Sequence, residues 1–144
     1  MKLLDANILL YAYNSDSPHH EVCRVWLENA FNGAEPVALP WQTILAFIRI
    51  STNPRAQSSP LSSQRACEIV GQWLEHPNVA LVTAAERFWS ILRRQILEAR
   101  VSGPLVTDAA LASLALEQGA VLCSTDRDFR RFRELRSIDP LDER

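Results

Sequence analysis

The sequence predicts an α/β fold: three layers, α/β/α, with a central parallel sheet of four to five strands between helices. Three observations carry that expectation. Strand-like and helix-like segments alternate along the chain. The strand candidates KLLD, PVALP, VALV and AVLCST are apolar runs rather than alternating ones, as suits strands buried on both faces. With 144 residues and 47% hydrophobic content the chain can fill one core but hardly two, so residues 1–144 are expected to form a single domain.

The elements follow in order. KLLD reads as a short buried strand feeding an almost wholly apolar helix, ANILLYAY. A second helix is expected with Ser17 as its N-cap and Pro18 in the first helical position. Val22, Val25, Trp26 and Ala30 recur at helical spacing, and Gly33 is the stop. PVALP is the second strand, and TILAFIRIST is a helix apolar on most sides. The stretch from Asn53 to Ser63, rich in proline and serine, is a loop, and Ser62 caps a helix running to about His76. After VALV, Thr83 and Glu86 fit a capping box opening a helix with Phe88, Ile91, Leu92, Ile96 and Leu97. Gly103 and Pro104 break it. Asp108 opens the next helix, whose Ala109, Ala112, Ala115 and Leu116 form a small-residue face closed by Gly119. AVLCST, a short helix DFRRF and a last strand near Ser137–Asp139 complete the chain.

Charge and rare residues exclude several chemistries. A net charge of −2 does not advertise a nucleic-acid binder in bulk, so local charge has to decide. Fourteen of the fifteen basic residues are Arg; Lys2 is the single lysine, and at the base of the first strand it cannot serve a P-loop, a receiver domain or a lysine-dependent phosphatase. Four glycines supply no GxGxxG, and no GxSxG exists. The three histidines are expected at the surface. Cys23, Cys67 and Cys123 are odd in number and contain no CxxC, so they are expected to be buried thiols in a reducing compartment. The start carries no basic n-region beyond Lys2, and no apolar run reaches the roughly 18–20 residues that span a bilayer. The expectation is a cytoplasmic protein with no membrane partner.

Three acids fall where sites form in open parallel sheets, outside the carboxyl ends of strands. Asp5 ends the first strand, Asp126 ends the fourth, and Asp108 starts the helix leading into that strand. A single Asp at a helix start is ordinarily a cap. Three gathered at one sheet edge repel one another and raise one another's pKa unless a cation neutralises them. Mg²⁺ or Mn²⁺ suits such an oxygen-only donor set.

Taken together, LLDANILLYA, LVTDAALASLALEQGA and STDRDF, in this order and spacing, resemble the PIN-domain ribonucleases, specifically VapC-type toxins of toxin–antitoxin pairs; LPWQTILAFIRISTNPR resembles one branch of that family. The resemblance spans essentially the whole chain. It implies a PIN-like fold and a metal-dependent endoribonuclease that hydrolyses RNA phosphodiester bonds with a metal-activated water. It also implies inhibition by a cognate VapB-like antitoxin, and a homodimer. Carried over by residue, Asp5, Asp108 and Asp126 resemble the catalytic, metal-binding aspartates, with Asp128 as an auxiliary acid in the cluster. Asn7 and Thr125 resemble the polar residues that support them.

One departure stands out. The family commonly carries a glutamate on the helix after the second strand, yet no acid lies between Glu35 and Glu68. Ile44 or Phe47 is expected at that position, with Glu35 a remote substitute. For RNA contacts the candidates are Arg49, Arg127, Arg130 and Arg131, with Arg133 and Arg136 nearby. The C-terminal group has a competing reading as a solvated surface paired with Asp128 and Glu134. Arg49, inside LAFIRIST, is expected either to pair with an acid such as Asp5 or to face the site. Trp41 and Phe47 read first as core or dimer contacts. The surface near Trp26 and Ile44 is the expected place for an antitoxin helix. Two alternatives remain beside the nuclease toxin: a catalytically weakened RNA- or partner-binding domain, motivated by the missing glutamate, and a DNA nuclease, disfavoured by the lack of clamp insertions.

Overall fold

The structure is a computed structural model and describes residues 1–142. Its elements are β1 (Lys2–Leu4), α1 (Ala6–Ala12), α2 (His20–Phe31), β2 (Val37–Pro40), α3 (Trp41–Ser51), α4 (Ser63–Glu75), β3 (Val79–Val82), α5 (Phe88–Ala99), α6 (Leu105–Gln118), β4 (Val121–Cys123) and β5 (Ser137–Ile138), with a 3₁₀ turn at Arg127–Arg131. The five strands form one sheet in the order β3-β2-β1-β4-β5, and every pairing is parallel. The expected α/β/α architecture is therefore present.

Alternation along the strands divides the core in two. Leu4, Val37, Leu39 and Cys123 face the side covered by α1, α2, α3 and α4, where Phe47, Trp73 and Tyr13 pack edge to face. Trp73 is buried and satisfies its indole N–H on the Tyr13 hydroxyl at 3.0 Å. Leu3, Ala38 and Leu122 face the other side, where Ala109, Ala112 and Ala115 of α6 bring that helix close to the sheet. Among the described residues no helix is long and apolar enough to cross a membrane.

Several boundaries differ from expectation, each for a local reason. Helix α2 starts at His20 because Ser17 closes a turn instead of a helix, its hydroxyl accepting from the His19 amide and its carbonyl from the His20 amide. No capping box forms at Thr83; Glu117 of α6 takes the Ala85 amide at 2.8 Å, so residues 83–87 are tied to α6 and α5 begins at Phe88. Helix α6 begins at Leu105, so Asp108 lies inside its first turn rather than opening it. Ser62 does cap α4, accepting from the Arg65 amide, and Gly119 ends α6 in the left-handed conformation at φ +65°. Cys67 is exposed, unlike the buried Cys23 and Cys123. The histidines are half-buried structural contacts: His19 against Tyr11, His20 on the Tyr11 carbonyl, His76 against Phe31.

The strand order reverses direction at β1 and β4, the kind of switch point where helix N-termini diverge and leave a crevice. Leu4 pairs with Cys123 there, so the residues that follow, Asp5 and Ser124, leave the sheet side by side.

Candidate active site

Asp5 caps α1: one carboxylate oxygen accepts from the Ala6 amide at 2.8 Å, while its own amide donates to the Cys123 carbonyl at 2.9 Å. Its other oxygen receives the Ser124 hydroxyl at 2.7 Å and the Asn7 amide at 3.2 Å. The Ser124 oxygen in turn accepts from Asn7 Nδ2 at 3.1 Å and from the Asp126 amide at 3.0 Å. That hydroxyl thus donates once and accepts twice, its full capacity. Asn7 Oδ1 accepts from the Thr125 amide at 3.2 Å. Thr125 therefore supports the site through its backbone.

The remaining acids arrive from α6 and the 3₁₀ turn. Asp126 caps that turn by accepting from the Asp128 amide at 2.8 Å. Ligand oxygens of Asp108, Asp126 and Asp128 all lie within 4.8 Å of one another. Burial pushes the Asp108 carboxyl up to about 6, with the charges of Asp126, Asp5 and Asp128 adding to the rise and Arg131 opposing it. Burial likewise raises Asp5, with the Ser124 hydroxyl and Ala6 amide pulling it back and Asp126 pushing it up. Three convergent carboxylates, one with its pKa raised by burial and by its neighbours' charge, are a hard-oxygen donor set short of positive charge. A hard divalent cation fits it.

These acids form one wall of a cleft of about 750 Å³, bounded by Asp5, Asn7, Asp108 and Asp126 on one side. Helix α3 forms the other with Gln42, Leu45, Ala46, Ile48, Arg49 and Ile50. Here the expectation for α3 needs correction. Ile44 and Phe47 are fully buried in the core on the opposite face of the helix, so neither occupies a site position, and Ile44 offers no surface to a docking helix. The face turned to the cleft is 42, 45, 46 and 49, and the polar groups it presents there are Gln42 and Arg49. Glu35 lies at the far end of the sheet, paired with the N-terminal ammonium at 3.2 Å.

The arginines divide. Arg49 borders the cleft and, among the described residues, makes no ion pair; in particular it does not bond Asp5. Arg131 pairs with Asp128 at 3.5 Å and Arg130 with Asp142 at 3.6 Å, while Glu134 is held by Arg94. Arg127 borders a smaller recess with Ser124, Asp126 and Arg130. Ser124 is the site residue that sequence reasoning passed over. Its signal was its place as the first residue after β4, but only the β1–β4 register shows that this position stands beside Asp5.

An acid cluster outside the carboxyl ends of two adjacent strands of a parallel sheet is the arrangement of a PIN-type α/β protein. Residues 2–135 match the PIN domain family model, and the chain belongs to that family. It is 40% identical to Ribonuclease VapC37 of Mycobacterium tuberculosis over 97% of both chains. It is 35% identical to Ribonuclease VapC33 of the same organism over 99% of this chain and the whole of that one. Among solved structures, VapBC-1 from nontypeable Haemophilus influenzae shares the fold with a TM-score of 0.72 at 16% identity, covering 97% of this chain and 98% of that one. FitAcB from Neisseria gonorrhoeae does so at 0.68 and 16%, covering 98% and 99%.

Proposed function

We infer that the chain is an endoribonuclease toxin of a VapBC toxin–antitoxin system, a divalent-metal-dependent enzyme that hydrolyses RNA phosphodiester bonds. The observation that carries this reading is the convergence of Asp108, Asp126 and Asp128, beside Asp5, at the sheet's switch point in a chain akin over its full length to VapC ribonucleases. Asp5, Asp108, Asp126 and Asp128 are the residues that would hold Mg²⁺ or Mn²⁺. Bound there, the cation would offset phosphate charge and lower the pKa of a water. The chain's own part is to present carboxylates already turned into one cleft. Ser124 and Asn7 keep Asp5 from swinging away, and the Asp128 amide fixes the Asp126 carboxylate. Arg49, across the cleft, contacts a phosphate of the RNA strand, with Arg127 a second contact beyond Asp126.

A VapB-like antitoxin silences the enzyme by covering the cleft, where exposed Leu45 beside Leu10 offers apolar surface to a helix. The active unit is a single domain, working in the cytoplasm as a homodimer. The absence of an α3 carboxylate favours one rival, a domain that binds RNA without cutting it.

One assay separates them: antitoxin-free protein with total RNA and purified tRNA in Mg²⁺, Mn²⁺ or EDTA, beside Asp108→Asn. Discrete metal-dependent fragments that vanish in the variant are expected. RNA binding by folded wild type without cleavage in either metal overturns the nuclease reading.

A further inference from the structure

Helix α3 begins without a side-chain cap of its own: Pro40 precedes it and contributes no capping hydrogen bond. Its first polar side chains reach outward to other elements. The buried Thr43 hydroxyl donates to the Leu4 carbonyl at 2.7 Å, and Gln42 Nε2 donates to the Thr107 carbonyl at 2.8 Å. Leu4 immediately precedes Asp5, and Thr107 immediately precedes Asp108. Two consecutive residues therefore hold the two peptide groups that launch two of the site's acids.

The first grip is complete on both sides. The Leu4–Asp5 peptide is bonded through its carbonyl to Thr43 and through its N–H to the Cys123 carbonyl at 2.9 Å. The β1–β2 ladder registers Lys2 with Val37 and Leu3 with Ala38 only, so Thr43 takes over where the ladder stops. The second grip falls on the first turn of α6, the part of a helix most prone to fray. Asp5 and Asp108 line the same cleft and carry like charges, so their repulsion acts to spread the two segments that α3 holds.

We propose that Gln42 and Thr43 are positioning residues that fix the spacing of Asp5 and Asp108 and so set the divalent-metal affinity of the cluster. The proposal rests on the metal-nuclease reading of that cluster. α3 supplies no carboxylate here; it supplies the frame instead. Loss of either hydrogen bond lets one acid drift, and loss of the second then costs less, because the spacing is already released.

The test uses the full chain, with Mn²⁺ affinity read by calorimetry and RNA cleavage resolved into kcat and KM. Gln42→Leu and Thr43→Val are each expected to weaken Mn²⁺ binding and lower kcat by about fivefold while leaving KM unchanged. The double variant should fall short of the product of the two, and Thr43→Ser should restore wild-type values. A folded Gln42→Leu with wild-type Mn²⁺ affinity and kcat overturns the proposal, as does a Thr43→Val that loses melting temperature alone. Should Thr43→Val fail to fold, Gln42→Leu, at a half-exposed position, decides by itself. Wild type that neither binds Mn²⁺ nor cleaves RNA removes the nuclease reading and the clamp together; wild type that does both, beside unaltered variants, removes only the clamp.

Discussion

On the β1–β4 side of the cleft, Asp5 and Asp126 are tied to their surroundings by short hydrogen bonds through Ser124, Asn7 and two backbone amides. The α3 side presents Leu45, Ala46, Ile48 and Ile50 with Gln42, bonded to the Thr107 carbonyl, and the cation Arg49. One wall is polar, preorganised and electrostatically strained; the other is mostly apolar and carries a cation with no ion pair among the described residues. Chemistry demands fixed groups, because a misplaced ligand oxygen lowers metal affinity and rate together. Recognition of a flexible strand demands charge and accessible surface more than fixed geometry. The acid wall suits the first task and the face of α3 around Arg49 suits the second, while Gln42 and Thr43 at the start of α3 serve the acids.

Breaking the acid wall should have the largest effect. Asp108→Asn is expected to lower kcat by at least about a hundredfold, because it removes a ligand charge from the centre of the cluster. Ser124→Ala leaves every carboxylate in place but deletes the hydroxyl that joins Asp5, Asn7 and the Asp126 amide; Mn²⁺ affinity by calorimetry should fall by about tenfold to a hundredfold. On the α3 wall, Arg49→Ala should raise KM for RNA by roughly threefold to tenfold with kcat unchanged, and reduce the slope of log affinity against log salt by about one. An Arg49 variant that lost kcat instead would erase the division between the walls.

The smallest effect concerns pH. The Asp108 carboxyl titrates near 6 in the fold against an ordinary 3.8, so between those values the native state holds more protons than the unfolded chain. Its stabilising contribution is complete below the ordinary value and is lost as pH rises through about 6. In EDTA, Tm should therefore include a small component that falls from pH 4 to pH 7 in wild type and is absent from Asp108→Asn. The same proton competition should weaken Mn²⁺ binding as pH falls below about 6.

Much of this was legible in the sequence because it depends on local chemistry. Apolar runs gave the parallel strands, Ser62 gave a true cap, and Gly119 gave a helix end. Asp5, Asp108 and Asp126 stood out as acids at strand and helix ends, with Asp128 added by the family resemblance; the first three line one cleft, and Asp128 stands within 4.8 Å of Asp108 and Asp126. Features set by distant partners were not legible. Thr83 and Glu86 satisfy a capping pattern, yet Glu117, from a helix still to come, holds the Ala85 amide. Helix α3 reads as apolar on most sides, which left its rotation open; packing against Trp73 and Tyr13 turns Phe47 inward and so turns Gln42 and Arg49 toward the acids. Ser124 became visible only once β1 and β4 were in register.

That register also fixes when in its synthesis the protein becomes dangerous. The Ser124 hydroxyl that holds Asp5 lies 119 positions after it in the chain, with Asp126 and Asp128 later still. At ribosomal speeds of about 5–20 residues per second, the opening strand waits on the order of ten seconds for the neighbour that completes the cluster. Throughout that interval the growing chain lacks two of its four acids, and an abandoned copy stopping before residue 124 never acquires them. A harmful activity is thus withheld until synthesis has passed Asp128.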